Sequence, residues 1–294
     1  MTTLRLMSFN IKCALFEDGE NNWVHRAPIN VATIRQQNPD LIGFQEVQPG
    51  NIVVYTENLP EYTYVLGVET ARENESGYHY YCAIYWKRDR FDLIEQGTFY
   101  LNETPERYAL DWGVKQGRTV NWVKLLDKQS GQRLLHVNTH LPHDSEEGRI
   151  NSAKLIVERL PVLSAYVDYA VATADFNSRA HPLTEAWLAL LPPDQRTQIE
   201  NYKQWFFDST VYQTFMTAGL RDTFIEAGYT DSPDNGTFHG LRGQDFPKVG
   251  HRIDWILIKD GIVTPQVRSF DIIRDAAPPV YTSDHYPIIA VLET

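Results

Sequence analysis

The chain is short of cysteine, of basic charge and of long apolar runs, and each shortage closes off a class of protein. Two cysteines in 294 residues, Cys13 and Cys82, allow at most one bridge. That excludes a disulfide framework and a four-cysteine zinc site. Lysine and arginine total 27 against 38 aspartates and glutamates, a net charge of −11. A protein that embraces long nucleic acid normally carries a basic face, because phosphate neutralisation supplies most of the affinity. The acidic balance therefore counts against duplex DNA and favours small or already accessible substrates. Uncharged apolar stretches such as Leu160–Val167 are far too short to span a bilayer. Arg5, Ser8, Asn10 and Lys12 interrupt any apolar run at the start, so no signal peptide and a cytoplasmic location are expected. There is no low-complexity tract, no repeat and no long flexible linker, which leads us to expect a single domain over residues 1–294.

Aromatic residues, by contrast, are abundant, at 12% of the chain. A chain this long buries about three quarters of its surface on folding, enough for a large core without staples. The early residues read strand, helix, strand. Leu4, Leu6 and Ser8 alternate with Arg5, Met7 and Phe9 up to Asn10. Val24–Gln37 has a helical pattern in which Pro28 fits best in a first turn. Leu41–Phe44 reads as a short buried strand, and further strands are predicted at Tyr80–Trp86, Phe91–Gln96, Thr119–Leu126, Leu134–Thr139, Tyr169–Ala174, Ile253–Ile258 and Ile288–Leu292. Asp144, with Glu147 three residues on, predicts a capping box for a helix carrying Ile150, Ala153, Ile156, Val157 and Leu160, which Pro161 should bend or end. His181–Phe215 is the least regular stretch.

Polar groups gather where these strands end or begin. Asn10 ends the first strand, Glu46 follows the second, and His140 closes Leu134–Thr139. Asp175 and Asn177 follow Tyr169–Ala174, Asp254 lies early in its strand, and Ser283-Asp284-His285 precedes the last one. Antiparallel pairing places the start of one strand beside the end of its neighbour, so all of them can share one rim of the sheets. Such a rim suits metal-assisted phosphoester hydrolysis. A hard cation wants oxygen ligands, which Glu46, with Asn10 and Asp284, can supply. Asp254 can orient and charge His285. Asp175 and Asn177 can position or deprotonate water, and His140 can donate to a phosphoryl oxygen.

The same residues carry a family resemblance. Ser8-Phe9-Asn10, Gln45-Glu46-Val47, Asn138-Thr139-His140, Ala174-Asp175-Phe176-Asn177, Arg252-Ile253-Asp254-Trp255-Ile256 and Ser283-Asp284-His285-Tyr286-Pro287 occur in order. They resemble the motifs of the endonuclease/exonuclease/phosphatase superfamily from Leu4 to Leu292. The resemblance implies an α/β fold, a four-layer sandwich of two mixed, mostly antiparallel sheets face to face with helices outside. It implies Mg²⁺, or Mn²⁺, on Glu46 with Asn10 adjacent and Asp284 as a further contact. It implies His285 paired with Asp254, Asp175 and Asn177 on the nucleophilic water, and His140 at the scissile phosphate. Ala174 departs from the glycine usual there.

Gly236-Thr237-Phe238-His239-Gly240 looks like the bacterial family-hydrolase branch. His239 and Arg118 are candidate substrate contacts, Arg118 where relatives often place a phosphate contact; a turn histidine and an exposed structural arginine are the competing readings. Arg149 is expected in a salt bridge. Tyr78, His79, Tyr80 and Tyr81 are expected to line the cleft or pack. The stretch of about 181–215 is expected to be an insertion, whose Trp205-Phe206-Phe207 is either a lid or a local core plug. The expected activity is hydrolysis of a phosphomonoester or phosphodiester by in-line attack of water, on a small molecule or an accessible nucleic-acid or lipid diester. A nuclease on abasic DNA or RNA ends and an inactive binding module on the same fold are the alternatives.

Overall fold

The computed structural model describes residues 2–15, 17–70, 80–200, 209–248, 252–274 and 276–294. Tyr78, His79 and the Trp205-Phe206-Phe207 triplet lie outside these residues. One six-stranded sheet contains β1 (Thr3–Asn10), β2 (Leu41–Gln45), β3 (Tyr62–Val65), β4 (Ile84–Lys87), β11 (Gln266–Ile272) and β14 (Ile288–Glu293), in the order β11-β14-β1-β2-β4-β3. The other contains β5 (Phe91–Tyr100), β6 (Thr119–Asp127), β7 (Arg133–His140), β8 (Tyr169–Asp175), β9 (Leu220–Asp222) and β10 (Asp254–Asp260), in the order β5-β6-β7-β8-β10-β9. Each sheet is antiparallel except for one central parallel pair, β1 with β2 and β7 with β8. A helix crosses over between the members of each parallel pair, α1 (Trp23–Gln37) in the first and α3 (Glu146–Leu163) in the second; α2 (Pro49–Asn58) follows β2, and β12 (Ala276–Ala277) pairs with β13 (Val280–Tyr281) ahead of β14. The expected α/β sandwich is the observed fold.

Strand parity explains the layers, because successive side chains point to opposite faces. Met7, Phe9, Ile42 and Phe44 pack outward against Ala27, Val31 and Ile34 of α1. Leu135, Val137, Ala170, Ala172 and Ala174 pack outward against Ala153, Ile156 and Leu160 of α3. The other parity fills the gap between the sheets, with Leu4, Leu6 and Leu41 against Leu134, Val171, Ile256 and Ile258. Ala174 thus turns its methyl group away from the face that carries Asp175.

The inter-sheet layer changes character along its length. Beyond the leucines it becomes polar, yet it stays fully buried at Ser8, Gln45, His136, Asn138 and Thr173. The Asn138 amide donates to the Phe44 and Ala83 carbonyls at 2.8 and 3.0 Å. Its Oδ1 accepts from Gln45 Nε2 at 2.7 Å and from Thr173 Oγ1 at 3.1 Å. Gly43 makes room for this seam: a Cβ there would stand 1.9 Å from Thr173 Oγ1.

Several local expectations need correction. Ser145, not Asp144, caps α3, its hydroxyl accepting from the Gly148 amide at 2.9 Å, while Asp144 accepts from the Lys115 amide. Pro161 lies inside α3, which runs on to Leu163. Pro28 sits in the second turn of α1, exposed, so the helix bond it removes lies on the solvent side. The predicted strand at Tyr80–Trp86 begins at Ile84, with Tyr81 joined only by an isolated bridge to Val47. Helices over Glu185–Leu188, Pro193–Glu200 and Thr210–Thr217 occupy much of the stretch expected to be irregular, and Pro193 opens one of them, where its missing N–H costs nothing.

Replacing Gly43 with alanine should lower the unfolding free energy by about 2–4 kcal/mol, because neither Thr173 nor Asn138 can move without breaking the seam. Urea unfolding would show this as a lower midpoint at unchanged slope.

Candidate active site

The polar seam continues to the rim, where the same strand parity delivers Asn10, His140, Asp175 and Asp254. Parallel pairing sets His140 beside Asp175, and antiparallel pairing sets Asp254 opposite Asp175. The start of β14 pairs with Ser8, which brings the preceding Ser283-Asp284-His285 to the same rim. One ligand atom from each of Asp175, Asp254 and His285 falls within 4.8 Å of the others, all three side chains being buried.

Asn10 joins the two sheets at this rim. Its Nδ2 donates to Glu46 Oε1 at 3.1 Å and to Asp175 Oδ2 at 3.0 Å. Glu46 Oε2 accepts from the Cys13 amide and from Cys13 Sγ, each at 3.0 Å. Glu46 therefore carries neutral donors, and among the described residues no cationic side chain forms an ion pair with it. His285 Nδ1 bonds to Asp254 Oδ2 at 2.9 Å, and its Nε2 stands 3.6 Å from Asp175 Oδ2. The Asn177 amide nitrogen donates to the Leu141 carbonyl at 2.8 Å and to His140 Nε2 at 2.9 Å. His140 Nε2 also stands 3.3 Å from Asp175 Oδ2, while its Nδ1 is buried without a hydrogen-bond partner among the described residues. Asp175 Oδ1 accepts from the Asn177 backbone amide at 2.9 Å. Lys12, Glu46 and Asn177 all hold left-handed backbone conformations, with φ of +51°, +65° and +46°. Such strain gathers at sites where the surroundings over-determine the geometry.

Electrostatics separate the roles. Burial raises the Asp175 carboxyl, with Asp254 adding to the effect, to about 7. Burial alone would lower His285, but the Asp254 and Asp175 carboxylates outweigh it and raise the imidazole to about 10. Burial, together with Arg118 and His285, holds His140 neutral.

The remaining candidates sit around this centre. Arg118 is 2% exposed, with its guanidinium 5.5 Å from the Tyr80 ring centre and its Nη2 3.1 Å from His143 Nδ1. Its Nε and Nη1 have no acceptor among the described residues. Tyr80 also stacks on His140 at 5.6 Å. Asp284 faces Lys12, whose Nζ is 3.5 Å from its Oδ2, and accepts from Ser283 Oγ. His239 is buried against Tyr286, and Arg149 pairs with Glu146 while donating to the Pro142 and His143 carbonyls.

Sequence reasoning missed the residues that hold this site in place. Arg26 of α1 is fully buried and donates to the carbonyls of Ile11, Lys12, Cys13, Asn21 and Thr282. It clamps the loop after Asn10 to the segment that leads to His285. Thr237 Oγ1 accepts from the Ile253 and Asp254 amides, and its carbonyl accepts from the Tyr286 amide. The signal for Arg26 was present: Arg26 and Asn30 stand four residues apart on the apolar face of a helix.

The family model described as Endonuclease/Exonuclease/phosphatase family matches residues 7–285. A structure of the endonuclease/exonuclease/phosphatase from Bacteroides vulgatus is 26% identical, with 100% of this chain and 99% of that chain covered and a TM-score of 0.79. The mannosyl-6-phosphatase of Bacteroides thetaiotaomicron is 24% identical, with coverage of 99% and 100% and a TM-score of 0.78. TDP2 of D. rerio, complexed with a single-strand DNA product, is 15% identical, with coverage of 100% of both chains and a TM-score of 0.70. These last two share the fold. No match was found among curated proteins. Among the described residues, no helix is long and apolar enough to cross a membrane.

The stability that His285 contributes as a cation is complete below its ordinary value of 6.5 and is lost as pH rises through about 10. His285→Gln should therefore cost about 3 kcal/mol at pH 7, by leaving two buried carboxylates without their cation. The gap to wild type should narrow by pH 10. Thermal melts of both proteins across that range test this, and a gap that does not change with pH would refute it.

Proposed function

The chain belongs to the endonuclease/exonuclease/phosphatase family, and on that premise we propose that its rim site is a divalent-metal-dependent centre that hydrolyses a phosphate ester by in-line attack of water. Members of this family are hydrolytic phosphoesterases. One observation carries the assignment to this site: Asn10 ties the half-buried Glu46 carboxylate to the buried Asp175–His285–Asp254 group.

The donor set fits a hard cation. Among the described residues Glu46 is a half-buried carboxylate bonded only to neutral donors; the Asn10 amide nitrogen faces it, and the Asn10 amide oxygen accepts from the Lys12 backbone amide at 3.0 Å. Mg²⁺, or Mn²⁺ on the same ligands, would be held chiefly by Glu46 with Asn10. Asp284 is the further candidate, its carboxylate being shared with Lys12. When bound, the cation supplies charge neutralisation at a phosphoryl oxygen.

The protein groups divide the rest of the chemistry. Asp175, with its raised affinity for protons, accepts the proton of the attacking water at Oδ2, and the amide oxygen of Asn177, whose N–H groups are already committed, accepts from that water. His140 holds the Asn177 amide in place through Nε2. His285, charged and backed by Asp254, donates from Nε2 to the phosphoryl group as negative charge builds there. The unpaired Nε and Nη1 of Arg118 offer a fork for two further phosphate oxygens. A buried guanidinium without a carboxylate partner is costly, so a ligand that supplies the anion offsets that cost.

Hydrolysis of p-nitrophenyl phosphate and bis-p-nitrophenyl phosphate should require Mg²⁺ or Mn²⁺ and stop on chelation. Asp175→Asn should lower kcat about 10³-fold with the fold intact by circular dichroism. Glu46→Gln should abolish the rise in Tm that Mg²⁺ gives the wild type. Arg118→Met should act mainly on KM. Diester turnover would point to nucleic-acid or lipid diesters, and monoester turnover to small phosphorylated metabolites. A protein that neither turns over any phosphate ester nor gains stability from Mg²⁺ would refute the proposal and favour a binding module.

A further inference from the structure

A cavity of about 510 Å³ opens beside His285 and plays no part in the chemistry above. Phe238 forms the wall between them. It makes a backbone bridge to His285, and its ring lies 5.0 Å from the imidazole. On its other side it meets Phe246 at 5.3 Å, nearly perpendicular, and both phenyl rings are half-exposed. The opposite wall is His239, stacked 4.0 Å from Tyr286. His239 Nδ1 accepts from the Gly243 amide at 3.1 Å, and burial pushes the imidazole down to about 4, so it is neutral with its proton on Nε2. That N–H is buried and has no acceptor among the described residues, although His239 lines the cavity. At the mouth, Lys248 and Asp234 cancel each other in an ion pair of 2.8 Å, and the exposed Gln244 adds an amide.

We infer that this cavity receives the group esterified to the phosphate, and that it is built for an uncharged, hydroxylated ring: the sugar of a hexose phosphate. The inference rests on the phosphoesterase assignment of the rim site. Position is the first argument. Phe238 touches the His285 imidazole and also lines the cavity, so an ester group that extends past Phe238 from a phosphate at His285 enters it. Surface chemistry is the second. Phe238 and Phe246 offer apolar ring surface to the C–H face of a sugar. The His239 N–H, the Gln244 amide and the Asp234 carboxylate stand ready for its hydroxyls.

Other ester groups fit less well. An acyl chain would bury those polar groups without partners. A polynucleotide needs a run of unpaired cations, whereas here Lys248 is neutralised and Arg274, which donates to the Asp234 carbonyl at 3.0 Å, is left alone. A nucleobase favours parallel aromatic faces, but the two phenyl planes meet at 88° and form no slot.

The test compares kcat/KM with Mg²⁺ for glucose 6-phosphate, mannose 6-phosphate, glycerol phosphate and adenosine monophosphate. A hexose phosphate should exceed glycerol phosphate and the nucleotide by about tenfold or more. Phe246→Ala should lower the hexose-to-glycerol ratio about tenfold, the loss expected on truncating an aromatic anchor. Gln244→Ala, at an exposed position where folding is not at stake, should lower it in the same direction. A preference for the nucleotide, or a ratio unmoved in both variants, would overturn the inference and leave the phosphoesterase assignment standing. So would cleavage of bis-p-nitrophenyl phosphate with no turnover of a hexose phosphate. If no phosphate ester of any kind is hydrolysed with Mg²⁺ or Mn²⁺, the assignment itself fails, and the sugar pocket falls with it.

Discussion

One amide holds the two sheets at the separation that the site requires. Asn138 reaches across the gap, donates to two carbonyls of the opposite sheet, and accepts from Gln45 opposite and from Thr173 on its own sheet. All of its partners are buried, so the exchange of water for protein partners is complete and any missing bond would be expensive. Gly43 is the steric condition for this approach, since any side chain there would collide with Thr173. The catalytic candidates inherit their positions from the seam. Glu46 follows Gln45, His140 lies two residues beyond Asn138, and Asp175 lies two beyond Thr173. A shift in sheet spacing would move them all together.

The two sheets repeat one plan, with a parallel pair at the centre, a helical crossover between its strands and antiparallel neighbours outside. Corresponding positions carry different chemistry. The β1–α1–β2 half ends in Asn10 and Glu46, which suit an oxygen-seeking cation. The β7–α3–β8 half ends in His140 and Asp175, which suit handling of a proton and a water. The rim is where the two halves meet, and Asn10 is the side chain that touches both carboxylates. Asn10 thereby brings Glu46, the proposed cation ligand, and Asp175, the proposed base, within hydrogen-bonding distance of one side chain.

Much of this was legible in the sequence because parity and periodicity are local properties. Leu4 and Leu6 share a face with Ser8 and Asn10, and Tyr169 and Val171 share one with Thr173 and Asp175. The alternation that marks a strand therefore also marks which polar residues look into the gap between the sheets. Helix ends were less legible. Asp144 and Ser145 are both good caps, and only the backbone bend, with Asp144 taken up by the Lys115 amide, decides between them. Least legible were residues whose partners are remote. Nothing near Arg26 announces that its guanidinium will gather the Ile11, Lys12 and Cys13 carbonyls with that of Thr282, more than 250 residues away. Within the Gly236-Thr237-Phe238-His239-Gly240 motif nothing marks Thr237 as the residue that fixes the start of β10 and the approach to His285.

These remote residues resolve an apparent contradiction, that a chain of net charge −11 should hold a phosphate ester. Net charge acts over the whole surface and is screened within about 10 Å at ordinary salt, whereas a buried site feels the groups that line it. At this rim the charged His285 and the buried Arg118 guanidinium stand among the Glu46, Asp175, Asp254 and Asp284 carboxylates, so positive charge is supplied locally within an acidic chain. Holding buried charges together and keeping Lys12, Glu46 and Asn177 in left-handed conformations costs free energy. Arg26 offsets part of that cost by fixing the Ile11–Cys13 loop through three carbonyls. Asn177 is held by bonds to Asp175, His140 and the Leu141 carbonyl. The strained residues of the rim are therefore each held by several hydrogen bonds. That is the pattern expected when a fold spends stability to hold a site rigid before its ligand arrives.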